Sequence, residues 1–121
     1  MAAGAGEIVS VFENQSLPAN AANYGTGTNT SVAVAYTAIP NSCHTITGVV
    51  WSYSADPTGG NLLVQDGSNT VFCVDVIHGG GEGLQFIPPI KGTVGNAMTI
   101  TLAAGGSGIV GRVSVLGHRL E

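Results

Sequence analysis

Gly106-Ser107-Gly108-Ile109-Val110-Gly111 spells the dinucleotide fingerprint G-x-G-x-x-G letter for letter. That motif works by opening a helix whose N-terminus meets a pyrophosphate, with an acidic partner about 20 residues further on. Here it is followed by Arg112-Val113-Ser114-Val115-Leu116, a strand pattern, and the sequence ends ten residues after Gly111. The segment therefore reads as a glycine-rich hairpin, and no cofactor is expected.

The other residues capable of chemistry fail on spacing. Cys43 and Cys73 are the two cysteines. A bridge between neighbouring strands would suit them, but without an export signal reduced thiols are the expectation. Together with His44, His78 and His118 they resemble a zinc ligand set. No C-x-x-C or H-x-x-x-H spacing occurs, however, and Cys43 and His44, adjacent on a strand, point to opposite faces. No metal is expected. The serines lack a G-x-S-x-G elbow. Asp66 and Asp75 come nearest to a carboxylate pair, but Asp66 belongs to an Asp-Gly turn. No catalytic residue is assigned.

Two patterns point to binding. Trp51 and Tyr53 share one face of a strand and could stack on a sugar ring, although a small sandwich equally needs such residues in its core. Asn14-Gln15-Ser16 and Asn29-Thr30-Ser31 are glycosylation triplets that matter only in a eukaryotic secretory pathway.

The elements that carry these residues are strands. Apolar residues recur with period two in eight runs: 7–12, 31–39, 44–54, 61–65, 70–78, 84–87, 97–102 and 109–116. Gly, Pro, Asn and Asp punctuate them, at Asp56–Gly60, Asp66–Asn69, Gly79–Gly81 and Gly105–Gly108. Met98, Ile100 and Leu102 alternate with Thr99 and Thr101, and Phe72, Val74 and Val76 with Cys73 and Asp75. Ile46 and Trp51 both look inward yet differ by an odd number, and Gly48 between them predicts a β-bulge. The expected fold is all-β, a two-sheet antiparallel sandwich of jelly-roll or immunoglobulin-like topology, with a closed barrel as the alternative.

At 121 residues the chain holds one core. Its charged fraction is 8%, against about 25% in ordinary soluble proteins, while 44% is hydrophobic. A coat this poor in charge suits a subunit whose faces are covered by neighbours, because desolvating a charge on assembly is costly. With Lys91, Arg112 and Arg119 as its cations and a net charge of −4, the chain offers no basic face for nucleic acid. No run approaches the roughly 18 apolar residues of a membrane helix. Met1–Glu7 lacks the basic and apolar regions of a signal peptide, so synthesis without export information is expected. The domain is taken as residues 7–119, with 1–6 an extended arm and Leu120-Glu121 set aside as resembling a vector scar. Residues 13–29 read as a long loop, where Glu13, Leu17, Pro18, Tyr24 and Asn29 are the expected partner contacts.

Over about residues 45–117 the chain resembles small β-sandwich virion proteins of tailed bacteriophages. The likeness is carried by Gly59-Gly-Asn-Leu-Leu-Val-Gln-Asp-Gly67, Thr70-Val-Phe-Cys-Val-Asp-Val76, Phe86-Ile-Pro-Pro-Ile-Lys-Gly92 and the run from Met98 to Gly111. It implies a capsid cement or decoration protein, often trimeric, made in the host cytoplasm and bound to the major capsid protein or other virion proteins on the virion surface, and it implies no catalytic residue. A tail or head-fibre component that binds a receptor, and a carbohydrate-binding module, are the alternative expectations.

Overall fold

Alternating apolar residues build two four-stranded sheets, seen in a computed structural model that describes residues 23–120. The strands are β1 (Tyr24–Thr28), β2 (Val32–Tyr36), β3 (Cys43–Tyr53), β4 (Asn61–Asp66), β5 (Asn69–Asp75), β6 (Gly80–Lys91), β7 (Met98–Leu102) and β8 (Val110–Leu120). One sheet has the order β1-β8-β3-β6 and the other β2-β7-β4-β5, with antiparallel pairing throughout. Every connection except the β4–β5 hairpin crosses between sheets. This is the eight-stranded jelly roll, and it decides against the immunoglobulin-like order and the closed barrel.

The inner faces supply one core. Val32, Val34, Ile46, Val49, Trp51, Tyr53, Leu62, Val64, Met98, Ile100, Leu102, Val113 and Val115 are buried together, drawn from both sheets. The bulge falls where Gly48 predicts it. The pairing of β3 with both β6 and β8 shifts between Ile46 and Gly48, skipping Thr47. A side chain at Gly48 would meet the Leu84 carbonyl at 3.0 Å and Leu116 at 3.3 Å, so the strands close tightly around it.

Three expectations change. Residues 24–28, placed in a loop, form β1, which pairs with β8 from Tyr24↔Ser114 to Thr28↔Val110; its Gly-Thr-Gly sequence carries no apolar alternation to announce it. The glycines at 105–108 do not form a hairpin, because they link β7 in one sheet to β8 in the other. Gly105 packs against the Tyr53 ring, and Gly106 and Gly108 take positive φ values of 121° and 75°. Leu120, set aside as a scar, pairs with Cys43 at the end of β8. The expected strand at 7–12 and the arm at 1–6 lie outside the described residues.

Asp66 fastens the hairpin to the β6–β7 link. Its carboxylate accepts from the Thr93 hydroxyl at 2.7 Å, the Thr93 N–H at 3.1 Å and the Asn96 amide at 3.3 Å. The Thr93 hydroxyl bond, with the backbone and Asn96 bonds behind it, holds the Asp66 carboxyl below its ordinary value of 3.8 against a smaller opposing effect of burial. A depressed folded value means that this contribution to stability is present above 3.8 and is lost as pH falls through the folded value. Acid titration of urea stability should therefore show a decline below 3.8 that Asp66→Asn reduces; an identical acid profile in the variant would refute the role. In the core, Leu62→Ala should cost about 2–5 kcal/mol. Tyr53→Phe, which removes a hydroxyl that donates to the Ala103 carbonyl, should cost about 1 kcal/mol by the same denaturation measurement.

Candidate functional site

Paired residues on antiparallel strands project to the same side, so register maps each face of the sandwich. On the outer face of the β1-β8-β3-β6 sheet, Tyr24 lies opposite Ser114, which lies opposite Val50, which lies opposite Gly83. The next row runs Thr26, Arg112, Ser52 and Gly81. Leu116 follows Ser114 two residues along β8. Tyr24, Val50 and Leu116, at 54%, 49% and 47% exposure, thus gather around Ser114 as an apolar patch bordered by Gly81 and Gly83. Arg112 is the charged residue of those two rows.

The expected contact residues are divided by the structure. Tyr24 belongs to this patch. Asn29 lies at the opposite end of β1, where it takes a left-handed φ of 48° and donates its N–H to the Ile109 carbonyl at 3.0 Å. Glu13, Leu17 and Pro18 lie outside the described residues.

The sugar platform at Trp51 and Tyr53 is corrected. Both side chains are core residues, 3% and 1% exposed, and neither offers a ring face to solvent. They point inward because the bulge places residues 49, 51 and 53 on the same side as Ile46, and burial pushes the Tyr53 phenol above its ordinary value.

The remaining candidates are scattered. Asp75 lies six residues beyond Asn69, the partner of Asp66, about 20 Å along the strand at the usual rise; the two carboxylates are not a pair. Cys43 in β3 and Cys73 in β5 are free thiols in different sheets. Cys43 and His44 are both buried although adjacent, because His44 lies against Tyr36, ring centroids 5.5 Å apart, with Nε2 2.8 Å from the Thr37 carbonyl oxygen. Among the described residues no three potential ligands gather around a point that would hold a metal.

Among the described residues a concavity lies between β5 and β6, the edge strands of the two sheets. A cavity of about 80 Å³ is lined by Trp51, Asp75, Val76, Ile77, His78, Gly80 and Glu82. Trp51 and Glu82 are partners across β3 and β6 and so face the same way. The link between β5 and β6 is pinned by Val76 N–H to the Gly60 carbonyl at 2.9 Å and by Gly79 N–H to Asp56 Oδ1 at 2.7 Å. Reading along the sequence misses this group, because its members come from three strands in two sheets and Glu82 follows glycines that look like a turn.

No sequence-family model matches the chain, and no curated protein does. Among solved structures it is similar to PirA, with a TM-score of 0.51 and 10% identity over 84% of this chain and 99% of that one. It is also similar to a CBM4 structure (TM-score 0.43, 13% identity, 80% and 71% covered) and to the carbohydrate-binding module CBM36 in complex with calcium and xylotriose (TM-score 0.38, 13% identity, 78% of each). At these identities the likeness is one of fold.

The thiols supply a check on this map. An aromatic disulfide reagent should titrate exposed Cys73 in the native protein and release Cys43 only with unfolding. Two thiols reacting equally fast under native conditions would contradict the burial of the start of β3.

Proposed function

We propose that this chain is a non-catalytic subunit of a protein assembly, in its most specific form a homotrimeric capsid cement or decoration protein of a tailed bacteriophage, bound to the major capsid protein on the virion surface. The observation that carries this reading is the apolar patch of Tyr24, Val50 and Leu116 on a nearly uncharged sheet face. It belongs to a wider imbalance. Tyr24, Val50, Val71, Ile77, Leu84, Ile87, Val94 and Leu116 are large and exposed, whereas the charged side chains described are Asp56, Asp66, Asp75, Glu82, Lys91 and Arg112. A freely diffusing domain is ordinarily kept soluble by the reverse proportion. The resemblance over residues 45–117 supports the virion form of the proposal, and the jelly roll, an architecture that capsid proteins and lectins share, accommodates it by analogy.

A second reading, saccharide binding, is favoured by the cavity beside Trp51, where an indole lies among carboxylates at the sandwich edge.

Light scattering at micromolar concentration tests the assembly reading. The expected mass is three times the 12.1 kDa of the chain. Val50→Lys with Leu116→Lys should lower that mass while leaving the circular dichroism of the fold unchanged. A monomeric wild-type chain would overturn the trimer, and a variant with undiminished mass would move the interface off this face.

A further inference from the structure

Among the described residues the large exposed apolar side chains gather on two surfaces, with Val94 apart in the β6–β7 link. Tyr24, Val50 and Leu116 form the patch on the outer face of the β1-β8-β3-β6 sheet. Val71, Leu84 and Ile87 stand on β5 and β6, and Ile77 on the link between them. β5 and β6 are the outermost strands on one side of the sandwich, where Phe72 and Phe86 meet edge to face with ring centroids 5.1 Å apart. The charges divide along the same line. Arg112 is the charged residue beside the patch, whereas Asp75 and Glu82 stand at the β5/β6 edge, and all three are exposed.

A three-fold ring requires two such surfaces. Its contacts are heterologous, so the surface that one subunit presents meets a different surface on the next, whereas a single self-complementary patch makes a two-fold dimer. Here β6 borders both, being the last strand of the patch's own sheet and one wall of the edge. Copies joined face to edge therefore turn sharply from one to the next, as a small closed ring needs. Register then sets which residues meet, because rotation about an axis along the strands leaves every residue at its own level. Arg112 is level with Ser52 and Gly81, one residue from Glu82. Ser114, beside Tyr24 and Val50, is level with Gly83, one residue from Leu84.

We propose that the β5/β6 edge of one copy docks on the Tyr24, Val50 and Leu116 face of the next, Leu84 meeting the apolar patch and Glu82, with Asp75 behind it, meeting Arg112. This rests on the assembly reading above and supplies its second surface. The charge pair gives direction to the contact: a face docked on a second face brings cations together with no acid in those rows to answer them. A copy seated on the edge also covers the cavity there.

Charge reversal and its rescue test the pairing in the full chain. Light scattering should give the trimeric mass for wild type, a loss of mass for Arg112→Glu and for Glu82→Arg, and recovery when the two reversals are combined, with circular dichroism unchanged throughout. A second measurement reads orientation. Chains with Cys73→Ser and Val50→Cys are mixed with chains carrying Cys73→Ser and Leu84→Cys, then oxidised; each cross-linked pair should contain one chain of each kind. A monomeric wild type would remove the assembly reading and this pairing with it. An assembled wild type whose mass either reversal leaves unaltered, or whose mass the double reversal fails to restore, keeps the assembly reading and overturns the pairing. Val50→Cys chains that link to one another reveal a face-to-face dimer and overturn it as well.

Discussion

Thr47 bears the constraint on which the rest of the sandwich depends. Side chains on a strand alternate, so Ile46 and Val49 of an unbroken β3 would point to opposite faces. Skipping Thr47 brings Ile46, Val49, Trp51 and Tyr53 to one side, all of them buried. Because β3 lies between β8 and β6, both neighbours must accept the slip. On β8 the step is clean, with Gly117 and Leu116 consecutive partners of Ile46 and Gly48. On β6 it is not: Ile90 and Gln85 are the corresponding partners, and Phe86–Pro89 are left over between them. Two prolines, which cannot donate to a ladder, stand in that excursion on an edge strand, where no neighbour needs their hydrogen bonds. Ile87, 83% exposed, projects from it. An inner-face requirement on one central strand thus places an apolar side chain on the outside of another.

The same constraint separates what the sequence reveals from what it hides. Local alternation is legible: Met98, Ile100 and Leu102 are fully buried as their period requires, and the odd spacing from Ile46 to Trp51 locates the bulge at Gly48. Sheet membership is not, because a crossover and a hairpin use the same glycine-rich links. The run at Gly105–Gly108 looks like a hairpin turn, yet it carries the chain from β7 to β8 across the core. β1 is hidden for a different reason. Its outer face joins the apolar patch, but Tyr-Gly-Thr-Gly-Thr contains no inward-pointing hydrophobe to mark it as a strand. Trp51 shows a third limit. Its residue type suits recognition or core, and that it is core follows from strands that cover it from elsewhere in the chain.

The two readings of function rest on different parts of the molecule. Assembly draws on the outer face of the β1-β8-β3-β6 sheet, where Tyr24, Val50 and Leu116 are exposed with Arg112 as the nearby charge. Saccharide capture draws on the edge where β5 and β6 diverge, with its carboxylates and indole. A jelly roll permits either, because its sheet faces and its strand edges are separate surfaces held by one core, and a copy seated on the edge takes the saccharide's place. The scarcity of charge unifies the account: residues that would resist burial against a partner are few, and of the described acids Asp56 and Asp66 hold loops while Asp75 and Glu82 rim the cavity.

Mass action offers the most direct test of the claim that these uncharged faces are made to be covered. Subunits that associate only when folded stabilise one another, so their unfolding temperature depends on protein concentration. Thermal unfolding followed over about a hundred-fold range of concentration should show the midpoint rising steadily. A midpoint that stays constant across that range would mean that the domain folds and stands alone, and would contradict the account.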